Sequence, residues 1–292
     1  MNILTFDIEE WYLEKVFWGN RNEKYKEFDG YLDQILSKLE DRGFKGTFFC
    51  VGGMAKDFPY VVKKIAEEGH EVGCHSNKHV WLNTMSQEHV YEDTRNAIDT
   101  IEQCIGKKVL SYRAPAFSIG KDNKNAFEAL CSCGIKRDAS IFPAERDFGG
   151  FSQFGEKKPT MVFYNRVRFK EFPICTTRLM GKELAYSGGG YFRFFPLCYV
   201  RKEMAKTDYS MTYFHIDDLV QESGNVLSKQ DYEKYFKEPG TIKNRYVRYV
   251  KTNFGKKSAF DKLMRLLDKE EFVNLEQADQ MINWEQAPVV VL

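Results

Sequence analysis

The 292-residue chain has no apolar run long enough to cross a bilayer. Its start, Met1-Asn2-Ile3-Leu4-Thr5-Phe6-Asp7, has no basic segment leading into a long apolar one, so no export signal is expected there. Charge of one sign is missing as well. Lys and Arg number 43 against 42 Asp and Glu, so composition alone asks for neither nucleic acid nor an anionic membrane. There is no sequence repeat, and the seven cysteines, an odd number, follow no disulfide-framework spacing. They read as reduced thiols that fill core space, which gives a cytoplasmic location as the expectation. Cys131 and Cys133 stand too close for a zinc knuckle, and no second pair answers them.

What is present is a rhythm. Asn2 to Phe6 is a short apolar run ending in acidic residues, the mark of a buried strand. Gly30 to Arg42 sets Tyr31, Ile35, Leu36 and Leu39 on one helical face, and Gly43 closes it. Lys45 to Val51 is a β-branched and aromatic strand, Phe58 to Glu68 a helix, and Glu71 to Cys74 a brief strand. Ser86 to Ile105 repeats helical spacing behind a capping serine. Val109 to Tyr112 is a strand, Asp122 to Cys133 a helix, and the stretch from Ile135 to Asp138 a strand again.

This alternation predicts an α/β chain, a distorted (β/α) barrel of about seven parallel strands. Residues 143–195 break the rhythm with Gly-rich, aromatic, strand-like pieces, among them Met161–Tyr164 and Ser187–Arg193. They are expected to be a β-rich insertion near the barrel mouth of a single domain, 1–292. Residues 220–292 are expected to form a helical extension packed on it. There Ser258–Lys269 carries an apolar face, while Lys243–Lys257 interleaves cations with Tyr246, Val247, Tyr249 and Val250 and reads as a solvated helix face.

Histidine is scarce, yet three of the five lie in His70-Glu71-Val72-Gly73-Cys74-His75-Ser76-Asn77-Lys78-His79. His75 and His79 are spaced i, i+4, which on one helical turn presents two imidazoles to one metal ion. A carboxylate from elsewhere would complete such a site. Other strand ends carry Asp7-Ile8-Glu9-Glu10, Arg113-Ala114-Pro115-Ala116-Phe117, Asp138 and His215. In a βα barrel these ends converge on one mouth. The bland readings are a helix cap for Asp7, a carbonyl-satisfying role for Arg113, and a core histidine for His215. His70 and His89 are read as structural, and Trp11, Trp81, Tyr191 and Phe192 as packing or sugar-stacking rings.

Together Thr5-Phe6-Asp7, His75-Ser76-Asn77-Lys78-His79, Arg113-Ala114-Pro115, Asp138-Ala139-Ser140 and His215 after an apolar strand resemble the polysaccharide deacetylases of the NodB-homology family (carbohydrate esterase family 4). The phrases Gly46-Thr47-Phe48-Phe49 and Gly69-His70-Glu71-Val72-Gly73 add to the likeness, which covers about residues 1–220. Asp7-Ile8-Glu9-Glu10-Trp11 with Gly188-Gly189-Gly190-Tyr191-Phe192-Arg193 resembles a subgroup linked to bacterial exopolysaccharide assembly.

The resemblance implies hydrolysis of an N-acetyl group on a glycan or glycan precursor, assisted by a divalent metal ion, Zn2+ in the first place. It implies His75 and His79 as ligands, Asp7 as general base, and Arg113 as the partner orienting Asp7. The backbone after Pro115, at Ala116, would be an oxyanion donor. His215 would be the general acid, and Asp138 the group keeping it charged. In the commonest family pattern a second aspartate follows the first and binds metal, but here that residue is Ile8. Glu9, two residues on, is the expected third ligand and Glu10 the next choice. The alternatives are hydrolysis of another non-peptide C–N bond, as in allantoinase-like relatives, or a glycan-binding relative without activity.

Overall fold

Along Thr5-Phe6-Asp7-Ile8 successive side chains alternate between two buried faces. Phe6 stacks on Phe48 at 4.8 Å and lies 5.7 Å from Phe214, its neighbours in register on the flanking strands. Thr5 and Asp7 point to the other face, where both meet Arg113. Such strands, buried on both sides, are the interior of an α/β sheet.

The computed structural model describes residues 1–146, 149–221, 225–236 and 238–292. Residues 147–148 of the expected insertion, and 222–224 and 237 of the expected extension, lie outside the described residues. The strands are β1 Asn2–Ile3, β2 Thr5–Ile8, β3 Thr47–Cys50, β4 Glu71–Cys74, β5 Ser111–Tyr112, β6 Arg137–Asp138 and β7 Thr160–Tyr164. They continue with β8 Val167–Glu171, β9 Thr176–Leu179, β10 Lys182–Ala185, β11 Ser210–Met211, β12 Phe214–His215 and β13 Val289–Val291. One sheet runs β12-β2-β3-β4-β5-β6-β8-β7-β13. Its first seven strands are mutually parallel, in line with the expected α/β architecture. No ladder joins β12 to β13 among the described residues.

The Arg113 side chain, just past β5, reaches across β4 and β3 to Asp7 on β2, with Nη1 2.7 Å from Oδ1.

The helices follow their apolar spacing. Asn22–Arg42 buries Tyr25, Phe28, Leu32, Ile35, Leu36 and Leu39, and ends on Gly43 in the left-handed region. It starts eight residues before the stretch expected. Gln87–Ile105 is capped by Ser86, which accepts from the His89 N–H, as expected. One cluster of buried apolar residues runs from Ile3 to Ala278 and includes Leu263, Leu266 and Leu267 of the helix Lys256–Lys269.

Three expectations are corrected. The stretch 143–195 is not only an insertion, because β8 takes a place in the main sheet beside β6 and β7 pairs with β8. Only the hairpin β9–β10 forms a separate sheet from within it. Ser187–Arg193 is not strand-like: Gly189–Phe194 is a short helix. Gly188 is needed at its start, since a Cβ there would fall 2.0 Å from the Tyr213 carbonyl oxygen. Finally, 220–292 is not purely helical, for its last residues form β13 on the sheet edge.

Candidate active site

The site is assembled from loops that leave the C-terminal ends of β2, β4, β5 and β12. After β4 the chain does not form the helical turn that the His75/His79 spacing suggested. Residues 75–81 are a loop in which Ser76 (φ 62°) and His79 (φ 55°) adopt left-handed backbone. Ser76 Oγ accepts from the His79 N–H at 2.9 Å. The Ser76 and Asn77 carbonyls accept from the N–H groups of Gly52 and Gly53. This turn brings the two imidazoles together all the same, with ring centres 5.2 Å apart.

Glu9 follows β2 directly and precedes the helix Glu10–Trp18. Its Oε2 lies 2.6 Å from His79 Nε2 and 3.2 Å from His75 Nε2. Glu9, His75 and His79 thus form a possible metal site, with one ligand atom from each within 4.8 Å of the others. The chemistry of the donors fits a divalent ion. His75 Nδ1 sits 2.8 Å from the Arg113 carbonyl, which can only accept, so Nδ1 carries a proton and Nε2 is the atom that faces Glu9. Burial alone would raise the Glu9 pKa, but His79, His215 and the hydrogen bond with His75 hold it well below the usual carboxylate range.

Glu10, the second choice, turns elsewhere. Its carboxyl accepts from the backbone N–H groups of Asp217 (2.9 Å) and Glu9 (3.2 Å). Burial and the Glu9 charge raise its pKa to about 8.

Asp7 is buried and receives Arg113 Nη1 at 2.7 Å. Arg113 is fully buried and fully engaged. It also donates to Thr5 Oγ1 (2.7 Å), the Ala139 carbonyl (3.2 Å) and Met211 Sδ (3.0 Å). Past it, Ala116 and Phe117 hold left-handed backbone (φ 54° and 53°), and the Ala116 carbonyl accepts from Arg146.

His215, opposite Asp7 in the β12–β2 register, sets Nε2 3.7 Å from Asp7 and 3.8 Å from Glu9. Its Nδ1 lies 3.1 Å from Asp218 Oδ2. Asp218 in turn pairs with Arg193 at 3.3 Å. Burial opposes the charge on His215, but Glu9, Asp218 and Asp7 raise its pKa well above the ordinary histidine value.

Asp138 is therefore not the partner of His215. It lies on β6, beside Glu171 of β8 in register. Its Oδ1 accepts from Ser140 Oγ at 2.6 Å, and Ser140 Oγ accepts from the Ala114 N–H at 2.8 Å. Glu171 accepts from the Ile141 N–H at 3.0 Å. The second oxygens of both carboxyls are buried without a hydrogen-bond partner, which favours protonation of the pair. Burial raises Asp138 to about 6 and drives Glu171 well above its ordinary value.

Sequence reasoning quoted Thr5 and Arg193 within motifs without giving them a role, and it missed Asp218, Glu171 and Met211. Only Asp218 left a signal, three residues after His215 on the short helix Ile216–Leu219.

Residues 3–137 match the family model described as polysaccharide deacetylase, and residues 139–280 match a domain of unknown function, DUF3473. Over 106 residues the chain is 31% identical to the peptidoglycan-N-acetylmuramic acid deacetylase of Bacillus subtilis, covering 34% of this chain and 40% of that protein. It is 32% identical over 106 residues to a peptidoglycan-N-acetylglucosamine deacetylase of Bacillus cereus, covering 36% and 48%. Each match spans less than half of the relative's length. A crystal structure of a candidate polysaccharide deacetylase from Mycobacterium smegmatis superposes with a TM-score of 0.65 at 14% identity, covering 100% of this chain and 92% of that one, a likeness of fold. Residues 3–137 are therefore a polysaccharide deacetylase domain of the NodB-homology type, followed over 139–280 by a DUF3473 region.

Proposed function

We propose that the chain is a metal-dependent hydrolase that removes an N-acetyl group from a sugar of a polysaccharide or glycan precursor. The observation that carries this reading is the convergence of Glu9, His75 and His79 beside Asp7 and His215. A divalent ion held by those three side chains, Zn2+ in our reading, would polarise the acetyl carbonyl and acidify water there.

The chain's own residues divide the proton work. Asp7, its Oδ1 held by Arg113, keeps Oδ2 on the His215 side to take a proton from the attacking water. The Ala116 N–H, past Pro115, would donate to the oxyanion as the carbonyl becomes tetrahedral. His215 stays cationic between Glu9, Asp7 and Asp218 and gives its Nε2 proton to the leaving nitrogen. Asp218 fixes the Nδ1 side and Arg193 fixes Asp218, which leaves Nε2 as the atom that moves a proton. The relatives named above act on peptidoglycan amino sugars, which makes N-acetylated glycans the substrate class to test first. The cytoplasmic location rests on the unpaired cysteines and is part of this proposal.

The test is acetate release from N-acetylated oligosaccharides by wild type and Asp7→Asn, with cyclic ureides and imides as competing substrates. Release by wild type and its loss in the variant support the reading. Turnover of ureides alone moves the chain to the other C–N hydrolases. Glycan binding without hydrolysis, equal in both proteins, makes it a non-catalytic relative.

A further inference from the structure

We propose that the helix Ile242–Asn253 is a membrane-surface element that lies in the headgroup region of an anionic bilayer. The inference is independent of the active-site reading. The helix buries none of its residues, whereas the next one, Lys256–Lys269, buries six. Yet its sequence, Ile-Lys-Asn-Arg-Tyr-Val-Arg-Tyr-Val-Lys-Thr-Asn, is not that of a polar helix. Ile242, Tyr246 and Val250 recur every four residues, and they are 69%, 55% and 58% exposed. Val247 is exposed beside them. Phe254, just past the last turn, is 54% exposed and touches the exposed ring of Phe194 (centres 5.7 Å). An apolar stripe in water along a whole helix marks an interaction surface.

Charge selects the occupant. The helix carries Lys243, Arg245, Arg248 and Lys251 and no carboxylate. The two arginines turn back onto the protein: Arg245 donates to the Leu227 carbonyl, and Arg248 pairs with Glu238 and covers the Phe236 ring. Lys243 and Lys251 are exposed at the edge of the stripe, and Lys251 also acts on the Glu238 charge. A second copy docked face to face would set these cations against their like. An anionic lipid surface meets both features at once, accepting the apolar side chains below the headgroups and the lysines among them. The other end of the helix is tied down, since Arg193 donates to the Lys251 and Thr252 carbonyls. Because Arg193 also holds Asp218, the element is anchored on the flank of the protein that carries His215.

The test is co-sedimentation of the full chain with vesicles of phosphatidylcholine containing phosphatidylglycerol, and with phosphatidylcholine alone. Wild type is expected to bind the anionic vesicles and not the neutral ones. Lys243→Gln with Lys251→Gln should weaken partitioning about 30-fold. Tyr246→Ser with Val250→Ser should reduce it to the level on neutral vesicles, with an unchanged circular dichroism spectrum and melting temperature. Failure of wild type to bind, or equal binding by the Tyr246/Val250 variant, overturns the proposal. So does a dimer by light scattering, or capture of polyglutamate, that the same variant abolishes while vesicle binding is absent. Those outcomes would assign the stripe to a second copy or to an acidic protein.

Discussion

Asp218 Oδ2 lies 3.1 Å from His215 Nδ1, three residues along the chain, and Arg193 sits on the far side of that carboxylate. This contact is one of the charges that raise the His215 pKa. A raised pKa keeps the imidazolium present to higher pH, so removing Asp218 must move its loss to lower pH. Asp218→Asn is expected to shift the alkaline limb of the turnover profile down by about one pH unit, which slows turnover by up to about ten-fold at pH values above the limb. Asp138→Asn should leave that limb in place, because its carboxyl belongs to the pair with Glu171. A limb that moves with Asp138 and not with Asp218 would refute the assignment.

Glu9 and Glu10 are neighbours in sequence with opposite orientations. Metal analysis after dialysis against Zn2+ should find about one ion per chain in wild type and in Glu10→Gln. Glu9→Gln should hold far less and show no turnover. Equal metal in Glu9→Gln and loss in Glu10→Gln would reverse the choice. Chelation should stop wild-type turnover, and added Zn2+ should restore it.

Arg113 and Asp7 are a fully buried ion pair, so each leaves an uncompensated charge when the other is removed. Arg113→Met is expected to cost about 3–5 kcal/mol in urea unfolding. Adding Asp7→Asn should recover part of that loss, giving a coupling energy of about 2 kcal/mol in the double-mutant cycle. Strict additivity would mean that the pair contributes no mutual stabilisation.

The Asp138–Glu171 pair predicts a stability change of the less familiar sign. Both carboxyls have folded-state pKa values above their unfolded ones, so the unfolded chain releases protons first as pH rises. Stability then falls upward from about pH 4. Glutamine at 171 can accept from the Ile141 N–H and donate to Asp138 without ionising. Glu171→Gln should therefore lose less stability than wild type as pH rises from 4 to 8. A variant that tracks wild type at both pH values would show that no proton is shared.

The parts of the site that the sequence revealed depend on short separations or on strand ends. Glu9 and Asp7 leave β2 together, and the His75/His79 spacing survives as a contact although a left-handed turn, not a helix, produces it. The partner of His215 was misread because strand order is a long-range property. Asp138 sits on β6, five places from β12 in the sheet, and Asp218 sits on the helix that His215 itself precedes. Six of the seven parallel strands were legible as apolar or β-branched runs, but β8 and β13 were missed where irregular chain separates short strands from their partners. The helix at Gly189–Phe194 was hidden by its glycines, which serve a close approach to Tyr213.

The β12–β2 ladder has a consequence for how the chain can be divided. The matched deacetylase region ends at residue 137, yet the neighbour of β2 on the Asp7 side is β12, from the region of unknown function. That region also carries His215, Asp218, Arg193 and the Met211 sulfur that touches Arg113. On the proposed chemistry, a fragment stopping at 137 would keep the metal ligands and the base but have no proton for the leaving amine. On the same chemistry, exchange of the second region for an unrelated one would remove the acid and its supporting charges while leaving the metal ligands in place.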